Sequence, residues 1–319
     1  MSKNNPWDQI KNPTGDYHVR QILSKGRTPI FWGKDEAGRC LFIVELDGDH
    51  SDYYKANTTS VKGIDIDLRQ STGKAKQRLI IALEKHVDTD LFLGLCNTLV
   101  SSLEPAQTSE ESLGIALTHI KRWKAFFTGQ RMRLLSAEEV RGLFAELQFL
   151  RLLYQKKFPQ DLAIEAWCGP DGSHQDFIYE NTAVEIKSLS GHERSSIRIS
   201  SEDQLETQCD NLYLATFRLI SQNTEGALSL NGVVKQIFDE LTASEAIETF
   251  SAKLAAAGYI ELLEYDSPRF QIVNNQPYQL SEGFPRLIRS DLPEGIVRVG
   301  YEIKLENITD FKCKMESLF

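Results

Sequence analysis

The chain has 319 residues, of which 41% are apolar, and its formal net charge is −9. This length and apolar content predict one large or two ordinary domains, and the acidic balance disfavours tight non-specific binding of DNA by the isolated chain. No apolar run is long enough to span a membrane, the first residues lack the apolar segment of a secretion signal, and the five scattered cysteines lack metal-ligand spacing. We therefore expect a reduced, cytoplasmic protein with no membrane partner.

The first part of the chain, residues 1–130, is predicted to be a β-rich region that ends in two helices. Strand composition or alternation occurs in four segments: 28–33, 40–46, 63–69 and 77–83. Helical periodicity follows at about 88–103 and 109–127, and a capping box begins the second helix at Thr108. We expect this region to serve target recognition or partner docking. A boundary near residue 130 leaves residues 131–319 as a second domain.

The second domain is predicted to begin with a long helix. A capping box at Ser136 and Glu139 predicts a helix that ends at about residue 154. Its apolar residues follow the helical period: Val140, Leu143, Phe144, Leu147, Leu150 and Leu153. Glu146 shares the face of this apolar stripe, where an acid is unfavourable unless it has a partner. Two interpretations stay open: a Glu146 paired with Arg141 or Arg151, or a third acidic group at a metal site.

The segment DFIYENTAVEIK, which begins at Asp176, predicts a β-hairpin. A two-residue loop that ends at Asn181, with this asparagine in the left-handed conformation, pairs Tyr179 with Thr182. Counting outward along the two strands then places Asp176 directly opposite Glu185.

One face of the hairpin's second strand carries both Glu185 and Lys187, because side chains alternate along a strand. Like charges on Asp176 and Glu185 across a sheet are destabilising, and a divalent cation between them would remove that repulsion. A metal at a carboxylate pair with a lysine beside it suits phosphodiester hydrolysis. The alternative is that these side chains belong to a solvated outer surface of the hairpin.

Short elements complete the second domain. A strand is predicted before the hairpin, at 163–167. After the hairpin, the sequence predicts a strand at 195–200, a helix at 202–209 and a strand at 212–219. Two helices and two strands are predicted toward the end of the chain, at 229–241, 244–257, 268–274 and 295–305.

The order of these elements resembles the PD-(D/E)XK nuclease superfamily. The resemblance implies an α/β (α+β) fold, with a restriction-endonuclease-like core (helix, three-stranded meander, helix, strand) after the N-terminal β-rich domain. The acidic position on the family's first helix matches Glu146, its strand aspartate matches Asp176, and its (D/E)XK tripeptide matches Glu185-Ile186-Lys187. Gln204 matches a glutamine found near the site in several members. The literal Pro-Asp pair lies in a Gly-rich loop, which leaves Asp171 as the fallback for the motif aspartate.

The resemblance implies a Mg²⁺ site in which Mn²⁺ substitutes. Asp176 and Glu185 are expected to bind the metal, with the backbone carbonyl of Ile186 as a further ligand. Lys187 is expected to orient the attacking water or to stabilise developing charge. Glu146 is expected to hold a second metal, a metal-bound water or Lys187 itself.

More narrowly, the chain looks like PD-(D/E)XK proteins encoded in bacterial restriction and phage-defence gene clusters, which share a β-rich N-terminal region and a GLxxEL helix, here residues 142–147. This implies a Mg²⁺-dependent DNA endonuclease of restriction or phage-defence type, with RNA left open as a substrate. Double-strand cleavage by a single-site nuclease implies a homodimer or a second nicking event. The alternative is a non-catalytic subunit of nuclease fold that bridges an ATPase or a methyltransferase in a defence complex.

Overall fold

The computed structural model describes residues 5–71, 75–84, 87–127, 133–191 and 195–319. The chain divides into two units, each with its own core. Unit 1 comprises Met1–Leu134 and Gly258–Glu264, and unit 2 comprises Leu135–Ala257 and Tyr265–Phe319. The boundary expected near residue 130 falls outside the described residues. Within the described ranges, no helix is both long enough and apolar enough to cross a membrane.

Unit 1 contains an antiparallel five-stranded sheet with helices. The strands are β1 Tyr17–Gln21, β2 Ile30–Asp35, β3 Cys40–Asp47, β4 Ile64–Gln70 and β5 Lys76–Leu83, in the order β1-β2-β3-β5-β4. The helices are α1 Ser51–Asn57, α2 Thr89–Leu103 and α3 Ser109–Phe127. The four predicted strands and two predicted helices are confirmed. The sequence did not reveal β1 because its side chains are mostly exposed and carry no apolar alternation.

Unit 2 carries the segments that resemble the nuclease core. Its helices are α4 Ala137–Lys156, α5 Gln160–Ala166, α6 Leu230–Glu240 and α7 Ser244–Ala256. Its strands are β6 Phe177–Tyr179, β7 Thr182–Ser190, β8 Ser196–Ile199, β9 Asn211–Ser221, β10 Phe270–Gln279 and β11 Tyr301–Lys304. One sheet has the order β10-β9-β7-β6, in which β7 and β9 are parallel, and a second sheet pairs β11 with β8. The mixed α+β fold expected from the sequence is confirmed.

Both faces of the central strand β7 are covered. Phe177, the register partner of Val184, contacts Phe149 of α4, with ring centroids 4.8 Å apart. The Val184 face of the sheet therefore packs against α4. The opposite face contributes Ala183 and Leu189 to a cluster that includes the buried residues of the small sheet, Ile197, Ile199 and Ile303. Because side chains alternate along a strand, this second face is the one that carries Glu185 and Lys187.

Two predicted elements of the core are wrong. Residues predicted as a strand at 163–167 form the end of α5, and only Trp167 makes an isolated bridge, to Phe177. Short apolar runs do not separate helix from strand by periodicity. The helix predicted at 202–209 is a 3₁₀ turn, Glu202–Leu205. The Gln175 side-chain amide donates hydrogen bonds to the backbone carbonyls of Asp203 and Glu206, at 2.8 and 2.9 Å. These carbonyls therefore have a side-chain partner in place of the backbone N–H groups that a longer helix would provide.

The long helix α4 begins with the predicted capping box. The Glu139 N–H donates to Ser136 Oγ at 3.2 Å, and the Ser136 N–H donates to Glu139 Oε2 at 2.8 Å. These bonds satisfy two backbone donors that would otherwise lack partners in the first turn. They fix the start of the helix that carries Glu146.

Replacing Ser136 with alanine is expected to lower the free energy of unfolding of unit 2 by about 1 kcal/mol, because one of these bonds is lost. Urea unfolding followed by far-ultraviolet circular dichroism would measure the change. The matched control is Ser251→Ala, which removes an exposed hydroxyl that donates to the Ile247 carbonyl within α7. This control should change the free energy by less than about 0.5 kcal/mol. Equal effects of the two substitutions would contradict the capping role.

Candidate active site

The hairpin between β6 and β7 has the predicted register. Tyr179 pairs with Thr182, and the ladder ends one residue after Asp176. The left-handed residue of the turn is Glu180, with φ of 49°, so the expectation that Asn181 adopts this conformation is wrong. Asn181 instead connects the turn to the start of β9. Its side-chain oxygen accepts a hydrogen bond from the N–H of residue 210 at 3.0 Å, and its backbone carbonyl accepts one from the N–H of residue 211 at 3.1 Å.

Asp176 is attached to the central strand by its side chain. Its Oδ2 accepts a hydrogen bond from the Ile186 N–H at 2.7 Å, at the point where the backbone ladder of β6 has ended. The N–H and C=O of one strand residue point to the same side of the strand. The Ile186 carbonyl therefore faces the edge on which Asp176 lies. This geometry keeps the Asp176 carboxylate next to the Glu185 position on β7.

Glu185 is buried, with 1% of its surface exposed. Its Oε1 accepts from Lys187 Nζ at 2.7 Å and from Gln204 Nε2 at 2.7 Å. Lys187 also donates to Gln204 Oε1 at 3.1 Å, so the three side chains form a closed ring. The alternative interpretation, a solvated outer face, is wrong because strand β7 is covered here. Glu185 Oε2 is buried and has no hydrogen-bond partner among the residues that the structure describes.

The positions of Asp176 and Glu185 disfavour the charged form of both carboxyl groups. Burial raises the pKa of Glu185 well above its ordinary value, and the neighbouring Asp176 raises this pKa further against the opposing effect of Lys187. Burial also raises the pKa of Asp176 to about 6, although the Ile186 N–H and Lys187 favour its charged form. A cation between these two carboxylates would favour the ionised form of each.

Glu146 reaches the same region from α4. Its Oε2 accepts a hydrogen bond from the Trp167 indole Nε1 at 2.8 Å, and its charge contributes to the raised pKa of Glu185. Arg151, one of the two arginines considered as a partner of Glu146, binds Glu240 at 2.5 Å. The structure therefore places Glu146 near the hairpin residues, and its part in a metal site stays a prediction.

Gly169 leaves space between the acids. A Cβ atom at this position would lie 3.0 Å from Asp176 Oδ1 and 3.5 Å from Glu146 Oε2. The first distance is closer than side-chain carbons normally come to such an oxygen. A side chain here would press on the motif aspartate, so the absence of a Cβ keeps the approach to its Oδ1 open.

Asp171, the fallback for the motif aspartate, has a different partner. Its side chain is 56% exposed and binds Lys253 Nζ at 2.9 Å. Sequence reasoning missed Trp167 and Lys253, since neither belongs to a local motif. Gln204 was identified only through the family resemblance, and the structure places it between Glu185 and Lys187.

The donor set is compatible with Mg²⁺. Among the residues that the structure describes, no three His, Cys, Asp or Glu side chains form a group able to hold a metal ion alone. Mg²⁺ does not require such a cage, because it commonly binds one or two carboxylates and keeps several waters or substrate phosphate oxygens. The unpartnered Oε2 of Glu185 and the Oδ1 of Asp176 fit that requirement. The Ile186 carbonyl and Glu146 stay predictions as further ligands.

Comparison with known proteins identifies a family. A family model described as "Putative PD-(D/E)XK family member, (DUF4420)" matches residues 3–306. No curated protein and no solved structure matches the chain. The resemblance seen in the motifs is confirmed, and it indicates a nuclease-type function. Because the match covers nearly the whole sequence, the protein belongs to this family of PD-(D/E)XK proteins.

Proposed function

We propose that the protein is a Mg²⁺-dependent DNA endonuclease that hydrolyses phosphodiester bonds at Asp176, Glu185 and Lys187. The observation that carries the proposal is the buried, unpartnered Oε2 of Glu185 beside a second carboxylate whose pKa is raised to about 6. Two such groups are unfavourable in an inert core and suited to a divalent cation. Mg²⁺, or Mn²⁺ in its place, supplies Lewis acidity toward a phosphate oxygen and a water.

Each side chain of the site has a role that follows from its contacts. Asp176 and Glu185 hold the cation. Lys187 donates to Glu185 and Gln204, and this ring fixes its ammonium group on the same strand face as the Glu185 carboxylate. From there Lys187 orients a water or stabilises negative charge on the phosphoryl group. Glu146 is held by the Trp167 indole and is assigned to a metal-bound water or a second ion.

The physiological role belongs to the same proposal. The net charge of −9 favours delivery of DNA by a partner subunit over capture of DNA by the isolated chain. Restriction or phage defence is the context that the family resemblance supports, with an ATPase or methyltransferase as the partner. Cleavage of both strands would use a homodimer. The intact set of acids, lysine and glutamine is unexplained if the chain is only a non-catalytic subunit.

Substitution of Lys187 by alanine is expected to reduce DNA cleavage by about 100-fold or more, because one donor aimed at developing charge is lost. The assay compares nicking and linearisation of plasmid DNA with Mg²⁺, with Mn²⁺ and with a chelator. The matched control is Lys157→Ala, which removes an exposed lysine that binds Glu180 at the hairpin turn. This control should cleave like the wild type.

The outcomes of this assay separate the hypotheses. Metal-dependent cleavage that is lost in Lys187→Ala and kept in Lys157→Ala supports the proposed site. Cleavage that persists in Lys187→Ala contradicts the assignment of that residue. No cleavage by any variant, alone or with co-purified partner subunits, would favour the non-catalytic subunit.

Asp176→Asn is expected to raise the unfolding temperature at about pH 8 in the absence of metal. The folded protein holds the Asp176 proton up to about pH 6, whereas an unfolded aspartate releases it near pH 4. The wild type therefore loses stability as the pH rises from about 4 to about 6, and the asparagine variant does not. The variant should gain about 3 kcal/mol above about pH 7 and nothing near pH 4.

Thermal unfolding at several pH values, with and without saturating Mg²⁺, measures this difference. Mg²⁺ should stabilise the wild type selectively and reduce the advantage of the variant. An asparagine variant that is less stable at every pH, or equally stabilised by Mg²⁺, would contradict the role of Asp176 as a metal ligand.

A further inference from the structure

We propose that Lys253 is a positioning residue for the metal site. It fixes the loop at residues 167–171, and this loop in turn positions the acidic side chains of the site. The inference rests on the proposed function, since it concerns the same carboxylates. Lys253 lies on α7, far along the chain from the motifs, and no motif includes it. Its effect on the site is transmitted by hydrogen bonds to the backbone and to Asp171.

The Lys253 ammonium group donates all of its hydrogen bonds to partners inside the protein. Only 9% of the residue is exposed. Its Nζ donates to the Glu165 carbonyl at 3.1 Å, the Trp167 carbonyl at 2.5 Å and Asp171 Oδ2 at 2.9 Å. An ammonium group has three protons, so these partners account for all of them. A buried charge is tolerated only when its donors are satisfied in this way.

The segment held by Lys253 also holds the backbone of Asp176. Between the Trp167 carbonyl and Asp171 lie Cys168 and Gly169, whose N–H groups both donate to the Asp176 carbonyl, at 2.8 and 3.0 Å. Lys253 therefore fixes the two ends of a short loop whose middle binds the motif aspartate. The side chain of that aspartate is fixed separately by the Ile186 N–H.

The same lysine is connected to Glu146. Trp167 accepts from Lys253 with its carbonyl and donates to Glu146 Oε2 with its indole Nε1. Its ring is fully buried and lies near Phe250, one turn before Lys253 on α7, with centroids 6.1 Å apart. A displacement of the Trp167 backbone would change the position of the Glu146 partner as well. One buried ammonium group thus connects both acids that flank Gly169.

This arrangement gives the literal Pro-Asp pair a function. Asp171 supplies the carboxylate partner of Lys253. Loss of groups that orient metal ligands typically reduces metal affinity by about 10–100-fold. Loss of an ion pair that has only a structural role lowers the stability of the fold and leaves metal affinity unchanged.

The test is Mn²⁺ binding to the full-length protein without DNA, followed by the electron paramagnetic resonance signal of the free ion. Lys253→Met keeps the length of the side chain and removes its donors, and it is expected to bind Mn²⁺ about 10-fold more weakly or worse. The matched control is Arg151→Met, which removes a partly buried cation that binds Glu240 in the same unit. This control should bind Mn²⁺ like the wild type.

A second variant keeps the test decisive if Lys253→Met does not fold. Asp171→Ala changes an exposed side chain and removes one partner of the ammonium group, so a smaller loss, about 3-fold, is expected. In cleavage assays, both variants should need more Mn²⁺ for half-maximal rate and should approach the wild-type rate at saturating Mn²⁺. A purely structural role would lower the amount of active protein and leave the Mn²⁺ requirement unchanged.

Parallel binding measurements on Asp176→Ala distinguish failure of the positioning role of Lys253 from failure of the metal site itself. If the wild type binds Mn²⁺, Asp176→Ala does not, and both Lys253→Met and Asp171→Ala bind like the wild type, the positioning role is overturned and the metal site stands. If Asp176→Ala binds Mn²⁺ like the wild type, the proposed metal site fails and the positioning role fails with it. Weakened binding by the Lys253 and Asp171 variants, with Arg151→Met unaffected, supports the inference.

Discussion

The burial of the Glu185 carboxylate on the central strand β7 is the constraint on which the rest of the site depends. A carboxylate that is 1% exposed must be neutralised, paired or bound to a cation. Lys187 and Gln204 satisfy one of its oxygens, and the other has no hydrogen-bond partner among the described residues. Asp176 is held next to it by the Ile186 N–H, although burial raises the pKa of both acids and the charge of Asp176 raises that of Glu185 further. The fold thus maintains an electrostatic arrangement that is unfavourable without a ligand.

Such an arrangement is typical of functional sites, where local stability is lost so that a ligand can bind. Several elements of unit 2 contribute to it. Helix α4 brings Glu146, the hairpin brings Asp176 and Glu185, and the turn after β8 brings Gln204. Helix α7 adds Lys253, which has no place in the family motif. The proposed site therefore includes side chains that bind the loop at residues 167–171 as well as the motif residues.

Much of the site was predictable because its determinants are local. The capping box fixes the start of α4, and the pairing of Tyr179 with Thr182 follows from a two-residue loop. The rest depends on contacts between distant residues. The 3₁₀ turn that replaces the predicted helix is held by Gln175, and the Trp167 indole donates to Glu146. Sequence patterns do not encode such pairings, so they became visible only in the folded chain.

The most direct test of the central claim is the position of a bound metal. Crystals of the protein soaked in Mn²⁺ and measured at the manganese absorption edge would locate the ion by anomalous scattering. The proposed site requires a peak within about 2.3 Å of both Asp176 Oδ1 and Glu185 Oε2. A peak elsewhere, or none at a Mn²⁺ concentration that supports cleavage, would contradict the shared cation on which the proposed function depends.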